Sequence, residues 1–260
     1  MNAPTGWGEA ARVLAAGFAQ RAAAHDRDGS FPHENFAELH AAGLLALAAP
    51  RALSGQGASI AQLAEVVGAI GYGCPATALV LTMQYVQQRG MGRLGSPWPE
   101  ALARRLVREA VEGVSLINAL RVEPELGSPA RGGLPATVAR QTPGGWRLSG
   151  RKIHATGAPI LRWYAVWART DEAAPRVGTF LVRADSPGVR VEPTWDYLGL
   201  RGSGSHNVVL HDVPTPPDHA LGLQPTGAWP QADGAFQTEM TLLLGALYTG
   251  VARAARDWLL

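Results

Sequence analysis

The 260-residue chain has a single cysteine, Cys74. That excludes an intrachain disulfide, gives no basis for a metal cluster, and fits a reducing cytoplasm. Net charge is also scarce. Against 23 Lys and Arg stand 21 Asp and Glu, a formal +2, so the pI near 9.0 reflects a small imbalance and not a basic tract. Nucleic acid is therefore not an expected partner. No stretch approaches about 18 uninterrupted apolar residues, so no membrane span is expected. Glu9 and Arg12 interrupt the apolar stretch near the N-terminus, and no secretory signal is expected there. Internal repeats, zinc-ligand spacings, a nucleophile elbow and a phosphate-cradling loop are lacking too, which leaves hydrolase and nucleotidase chemistry unsupported. The expectation is a cytoplasmic protein.

What is present is ordinary globular material: 47% hydrophobic and 17% charged residues, in a chain long enough for two domains. Residues 1–113 are helical in pattern. Ala10 to Ala24 has helix formers throughout, and Ser30-Phe31-Pro32 opens a short helix. Ser59 to Gln62 has capping-box spacing ahead of Leu63, Val66, Val67 and Ile70. Pro75 starts a helix that is apolar nearly all round, and a last one runs from Glu100 to Gly113. From Val114 to Pro214 the period changes to short β-rich runs between Gly, Pro and Asp clusters, which predicts an antiparallel barrel or sandwich. Residues 215–234, rich in proline, read as a linker, and a helix resumes over 235–260 with Leu242, Leu243, Leu244, Leu247 and Val251 on its apolar side. The fold class is α+β with segregated helical and strand blocks.

The sequence is organised around Gly145 to Arg169, which reads as strand, turn, strand, loop, strand. Within it, Lys152-Ile153-His154-Ala155-Thr156-Gly157 puts a hydroxyl beside a glycine at a strand end, where a flat ligand can approach the backbone. Four segments in order carry a family likeness. Pro50-Arg51-Ala52-Leu53-Ser54-Gly55-Gln56-Gly57 resembles a P-x-x-x-G-G-x-G turn, with Ser54 in place of the first glycine. Val122-Glu123-Pro124-Glu125-Leu126-Gly127-Ser128 resembles T-E-P-x-A-G-S, with Val122 in place of the threonine. Gly150 to Thr156 resembles G-x-K-x-W-I-T, with His154 in place of the aromatic. Gly199 to Ser205, then Val208 to Pro214, resembles G-x-R-x-S-x-S/T followed by V-x-x-x-D-V-x-x-P. Together they resemble the acyl-CoA dehydrogenase family and its flavin-monooxygenase relatives over residues 31–260.

That resemblance implies an N-terminal α-helical domain (1–113), a middle antiparallel β-barrel (114–214), a linker (215–234) and the start of a C-terminal helical bundle (235–260). Only about the first helix of the bundle is here, so the sequence reads as truncated with respect to its family. The implied cofactor is FAD, bound by Ala119, Val122, Gly127, Ser128, His154, Ala155 and Thr156, with Ser128 also contacting substrate. Thr156 is implied at the reactive edge of the flavin. Val122 cannot offer the hydroxyl of the family's threonine, a loss of about 1 kcal/mol if that bond is a typical one. His154 can stack and also donate a hydrogen bond. Arg201 stands where it could hold a carboxylate or phosphate, or serve as a surface arginine. The dehydrogenase reaction needs a carboxylate base. Met240 stands at the matching place on the last helix with Glu239 beside it, turned about 100° away, so no catalytic base is assigned.

The implied activity is oxidation of the CH–CH group of an acyl-CoA or similar thioester, with hydride passing to the flavin. The implied partners are the small-molecule thioester, an electron acceptor or flavin reductase, and further copies in a homo-oligomer. A reduced-flavin monooxygenase of the same fold is the alternative, and a truncated, inactive relative is a third.

Overall fold

The computed structural model describes residues 6–126, 133–226 and 234–260. Five α-helices come first: α1 (Trp7–Asp28), α2 (His33–Ala41), α3 (Ile60–Gly73), α4 (Pro75–Met91) and α5 (Glu100–Glu112). Helix α1 extends about a turn beyond its alanine-rich stretch at either end, because nothing before Gly29, which adopts φ 65°, breaks it. The capping box of α3 is formed: the Gln62 N–H donates to Ser59 Oγ at 3.3 Å and the Ser59 N–H to Gln62 Oε1 at 2.9 Å. Pro75 opens α4, which is buried on nearly every side. Its apolar residues join Phe18, Phe36, Leu39 and Leu63 in one core that continues into the sheet through Leu148, Val166, Phe180 and Val208. A buried amide ties the two layers together. The Ile117 N–H donates to Gln84 Oε1 at 2.8 Å, and Gln84 Nε2 donates to Leu45 O at 3.3 Å.

The strands are β1 (Leu116–Leu120), β2 (Val138–Thr142), β3 (Gly145–Ala155), β4 (Leu161–Thr170), β5 (Arg176–Arg183), β6 (Val189–Glu192), β7 (His206–Thr215) and β8 (Ala220–Pro225). They form one sheet in the order β6-β7-β3-β2-β4-β5-β8, with β1 alongside β4. Three expectations change. The described strands do not close into a barrel, since β6 and β8 end the order and pair with one neighbour each. Of these two edges, β6 has four residues, and β8 ends at a proline that cannot donate to a further ladder. The pairing is also not wholly antiparallel, because β1 and β2 both run parallel to β4. The stretch expected as a linker contains β8, an edge strand on β5; residues 227–233 of that stretch lie outside the described residues. Proline is tolerated in it because only one side of an edge strand needs donors.

Helix α6 (Gly234–Leu259) packs along α3 and α4. Its buried seam is Leu243, Leu247 and Gly250, spaced i, i+4, i+7, while Leu242 is 50% exposed. The backbones touch here. A Cβ on Gly250 would lie 2.3 Å from Gly68 O, and one on Gly71 would lie 2.8 Å from Leu247 O. Among the described residues no helix is long and apolar enough to cross a membrane, and no cluster of His, Cys, Asp and Glu could hold a metal ion.

Candidate flavin-binding face

One edge of β4 is shared by two strands in succession. β1 pairs with it up to Val166 and β2 takes over at Arg169, so neither strand covers Trp167. Lys152, fully buried on β3, fills the gap: its Nζ donates to Trp167 O at 2.5 Å and to Glu123 Oε1 at 2.6 Å. Glu123 also accepts from the Thr137 hydroxyl at 2.5 Å, the Thr137 N–H at 3.0 Å and the Ala136 N–H at 2.6 Å. Burial pushes the Glu123 carboxyl up, but bonds from Lys152 and Thr137, with the Lys152 charge, outweigh it and hold the carboxyl below its usual range. Burial pulls the Lys152 ammonium down to about 8 against the opposing bond and charge of Glu123. So many partners are what make a buried charge pair tolerable. The pair fastens the segment after β1 to β3, and the Ile153 N–H donates to Val122 O at 3.0 Å just beyond it.

The ends of β1 and β3 thus meet, and the expected site residues meet with them. Asn118, 4% exposed, is the connector: its Nδ2 donates to Thr156 O at 3.0 Å, and its Oδ1 accepts from the Ala119 N–H at 2.7 Å. Thr156 is half-buried, and its Oγ1 lies 3.0 Å from Ser205 Oγ, which lies 2.8 Å from Ser203 Oγ. Gly157 follows with φ 83°, and a Cβ there would press to 2.9 Å from Val80 Cγ1. Ala155 is buried opposite His206 on β7, while Ala119 and Val122 are half-buried. His154 is exposed with φ 55°, its ring edge-on to Trp195 and Tyr197 at 5.8 Å each, and those two rings lie 4.2 Å apart. The Trp195 N–H donates to His206 Nδ1 at 3.0 Å and its indole N–H to Leu200 O at 3.0 Å, which holds the aromatic loop in place.

Ala119, Val122, His154, Ala155 and Thr156 are therefore brought together, whereas Gly127 and Ser128 lie outside the described residues. Arg201 is taken up elsewhere, donating to Asp26 O at 2.7 Å and to Asp196 Oδ1 at 2.6 Å. Glu239 bridges Arg89, at 2.5 Å, and Arg93 on α4 and its exit. Burial raises its carboxyl, but the bonds and charges of both arginines outweigh this and hold it below its usual range. The sequence reading missed Asn118, Ser203, Trp195 and Tyr197. Asn118 left a signal as the lone polar residue in the apolar run Leu116 to Leu120, and Ser203 stands at the first serine of the G-x-R-x-S-x-S/T likeness.

A flavin ring is flat, apolar on its faces and studded with hydrogen-bonding atoms along its edge. The half-buried Thr156 hydroxyl, the half-buried Ala119 and Val122 on the adjoining strand end, and the three rings grouped at His154 are the kinds of group that such a ring needs. Residues 8–102 match the family model for the acyl-CoA dehydrogenase N-terminal domain and residues 121–213 that for the middle domain. YdbM of Bacillus subtilis strain 168, whose name places it among the acyl-CoA dehydrogenases, is 33% identical over 254 residues, covering 97% of this chain and 64% of its own. L-evernosamine nitrososynthase of a Micromonospora species is 34% identical over 245 residues, covering 91% of this chain and 56% of its own. KijD3, solved in complex with FMN and dTDP-3-amino-2,3,6-trideoxy-4-keto-3-methyl-D-glucose, superposes with a TM-score of 0.83 at 33% identity, covering 95% of this chain and 62% of that one. The chain thus spans less than two thirds of the length of each of these relatives.

Proposed function

The chain belongs to the acyl-CoA dehydrogenase family, and from that premise we propose that the Thr156 face of its sheet holds a flavin for an oxidoreductase reaction on a small molecule. The observation that carries this is the meeting of the β1 and β3 ends: one connected set of bonds runs from Ala119 through Asn118 to the Thr156 turn. When bound, a flavin supplies two-electron redox chemistry and, in its reduced form, the means to activate dioxygen. Thr156 presents a hydroxyl to its edge, and Ala119 and Val122 present apolar surface. The His154–Trp195–Tyr197 rim shields the ring from water on one side. FMN and FAD share this ring, and the FMN complex of KijD3 supports FMN equally with the FAD of the dehydrogenase resemblance.

Of the two reactions, we favour oxygenation of a small molecule by reduced flavin, with a separate reductase as partner. The carboxylate nearest the place for a dehydrogenase base, Glu239, is committed to Arg89 and Arg93, and nitrososynthases are among the similar relatives. A substrate with an amino group, as in the ligand of KijD3, is the first class to try. Hydride transfer from an acyl thioester is the second reading, supported by the likeness to YdbM. The domain limits of 1–113, 114–214 and 235–260, and assembly into a homo-oligomer, are part of this proposal, as is Ser128 at the substrate. The test mixes flavin-loaded protein anaerobically with acyl-CoA esters. Bleaching of the flavin supports hydride transfer and overturns oxygenation. No bleaching, with oxygen-dependent conversion of an amine once a reductase is added, supports oxygenation. Thr156→Val is expected to weaken flavin affinity roughly fivefold, the loss of a hydrogen bond of about 1 kcal/mol. Unchanged affinity and reduction rate in that variant would remove Thr156 from the site.

A further inference from the structure

Three hydroxyls run in a row from the core to the open face. Ser203 is 0% exposed, Ser205 is 4% exposed and Thr156 is half-buried. The only hydrogen-bond partner of the Ser203 hydroxyl among the described residues is Ser205 Oγ at 2.8 Å, and the only other partner of Ser205 Oγ is Thr156 Oγ1 at 3.0 Å. Each hydroxyl has one proton to give, and a row of this kind has two possible directions. If Thr156 donated inward, Ser205 would donate to Ser203. The Ser203 proton would then be left without an acceptor in the interior: among the described residues the Ser203 hydroxyl bonds only Ser205 Oγ, and not the Ser30 carbonyl that lies near Gly202. Burying an unmatched donor is the costly arrangement. In the other direction Ser203 donates to Ser205, Ser205 donates to Thr156, and every buried proton is matched. The Thr156 hydroxyl, already accepting, then has its own proton directed outward.

We propose that Ser203 and Ser205 are positioning residues that set the Thr156 hydroxyl as an outward-pointing donor, so that the site prefers a ligand presenting an acceptor there. This rests on the flavin reading, and its consequence is redox selectivity. A ring nitrogen that accepts in the oxidised flavin becomes an N–H on reduction, and a fixed donor favours the oxidised form. The buried row thereby lowers the flavin's midpoint potential. The two serines are not equivalent. Without Ser205, Thr156 is free to turn and accept, whereas without Ser203 the Ser205 proton still has only Thr156 to reach.

The experiment compares wild type, Ser205→Ala, Ser203→Ala and Ser205→Thr, each loaded with FMN and checked for an unchanged thermal melt. The readout is the midpoint potential of the bound flavin. Ser205→Ala is expected to lose up to about tenfold of the preference for oxidised over reduced flavin, a rise of about 30 mV for a two-electron couple. Ser203→Ala should shift it by less than half as much, and Ser205→Thr, which restores a hydroxyl, should return it to the wild-type value. Equal potentials in wild type and Ser205→Ala, with FMN bound in both, overturn the row's direction and leave the flavin reading intact. Failure of wild type to bind FMN or FAD overturns the flavin reading instead. In that case the direction is read in the free protein from hydroxyl-proton exchange by NMR. Slow exchange at Ser203 and Ser205 with fast exchange at Thr156 supports the proposal, and a protected Thr156 proton overturns it.

Discussion

Two places in the molecule join segments that are far apart in the chain, and they do so by opposite means. In the sheet, the gap between β1 and β2 is closed by a charge pair, Lys152 with Glu123, at 0% and 2% side-chain exposure. Along α6, the join is apolar, made by Leu243, Leu247 and Gly250, and the charges sit at its rim, where Glu239 meets Arg89 and Arg93. The difference follows from what each place must satisfy. The sheet gap exposes a main-chain carbonyl, that of Trp167, and only a donor can meet it. Helix α6 brings its own backbone bonds, so its contact face needs shape alone. Charge in the interior answers a polar debt; charge at a rim mainly fixes orientation.

The sharpest way to break this contrast is Lys152→Met, which leaves the Glu123 carboxylate buried and short of its counter-charge. A loss of about 3–5 kcal/mol in denaturant unfolding is expected. The pH dependence should reverse with it. In the wild type the Glu123 carboxyl lies below its ordinary value of 4.5, so its contribution is present above that pH and is lost as pH falls through the lower folded value. Removing Lys152 takes away a bond and a charge that hold the Glu123 value down, so the folded value should rise and the variant's deficit should shrink as pH falls through it. A deficit that stays constant from neutral pH down into the carboxylate range would show that Glu123 is not the group left uncompensated. Next in size is Leu243→Ala, expected to cost about 3 kcal/mol through the cavity it opens between α6 and α3. Glu239→Gln should cost about 1 kcal/mol, and added salt should narrow the gap to wild type, as suits a partly hydrated cluster. If Glu239→Gln proved more damaging than Leu243→Ala, the rim charges and not the seam would hold α6. Leu242→Ala, on the exposed side, should stay within about 0.5 kcal/mol.

How much of this the sequence disclosed depends on whether a feature is local. The capping box at Ser59 and Gln62, the start of α4 at Pro75 and the β3 strand are each written within a few residues, and all three are found where they were read. The seam of α6 was read less well. Leu242 and Leu243 are equally apolar, and only the position of α3 decides which one is buried. The Thr156–Ser205 contact joins residues 49 apart and the Asn118–Thr156 bond residues 38 apart, and periodicity carries no trace of either. The motif likeness supplied Thr156, His154 and Val122 and runs through Ser203 and Ser205 without marking their contact with Thr156, while Asn118 lies outside it. Strand β8 was hidden by prolines that signal a loop unless the strand is known to lie at an edge.

The glycines between α3 and α6 also limit how the last helix can move. With Gly250 seated against Gly68 O, a screw of one residue, about 1.5 Å along the axis with about 100° of rotation, would bring Thr249 or Val251 to a point where not even a methyl fits. Helix α6 therefore has no neighbouring register to creep into.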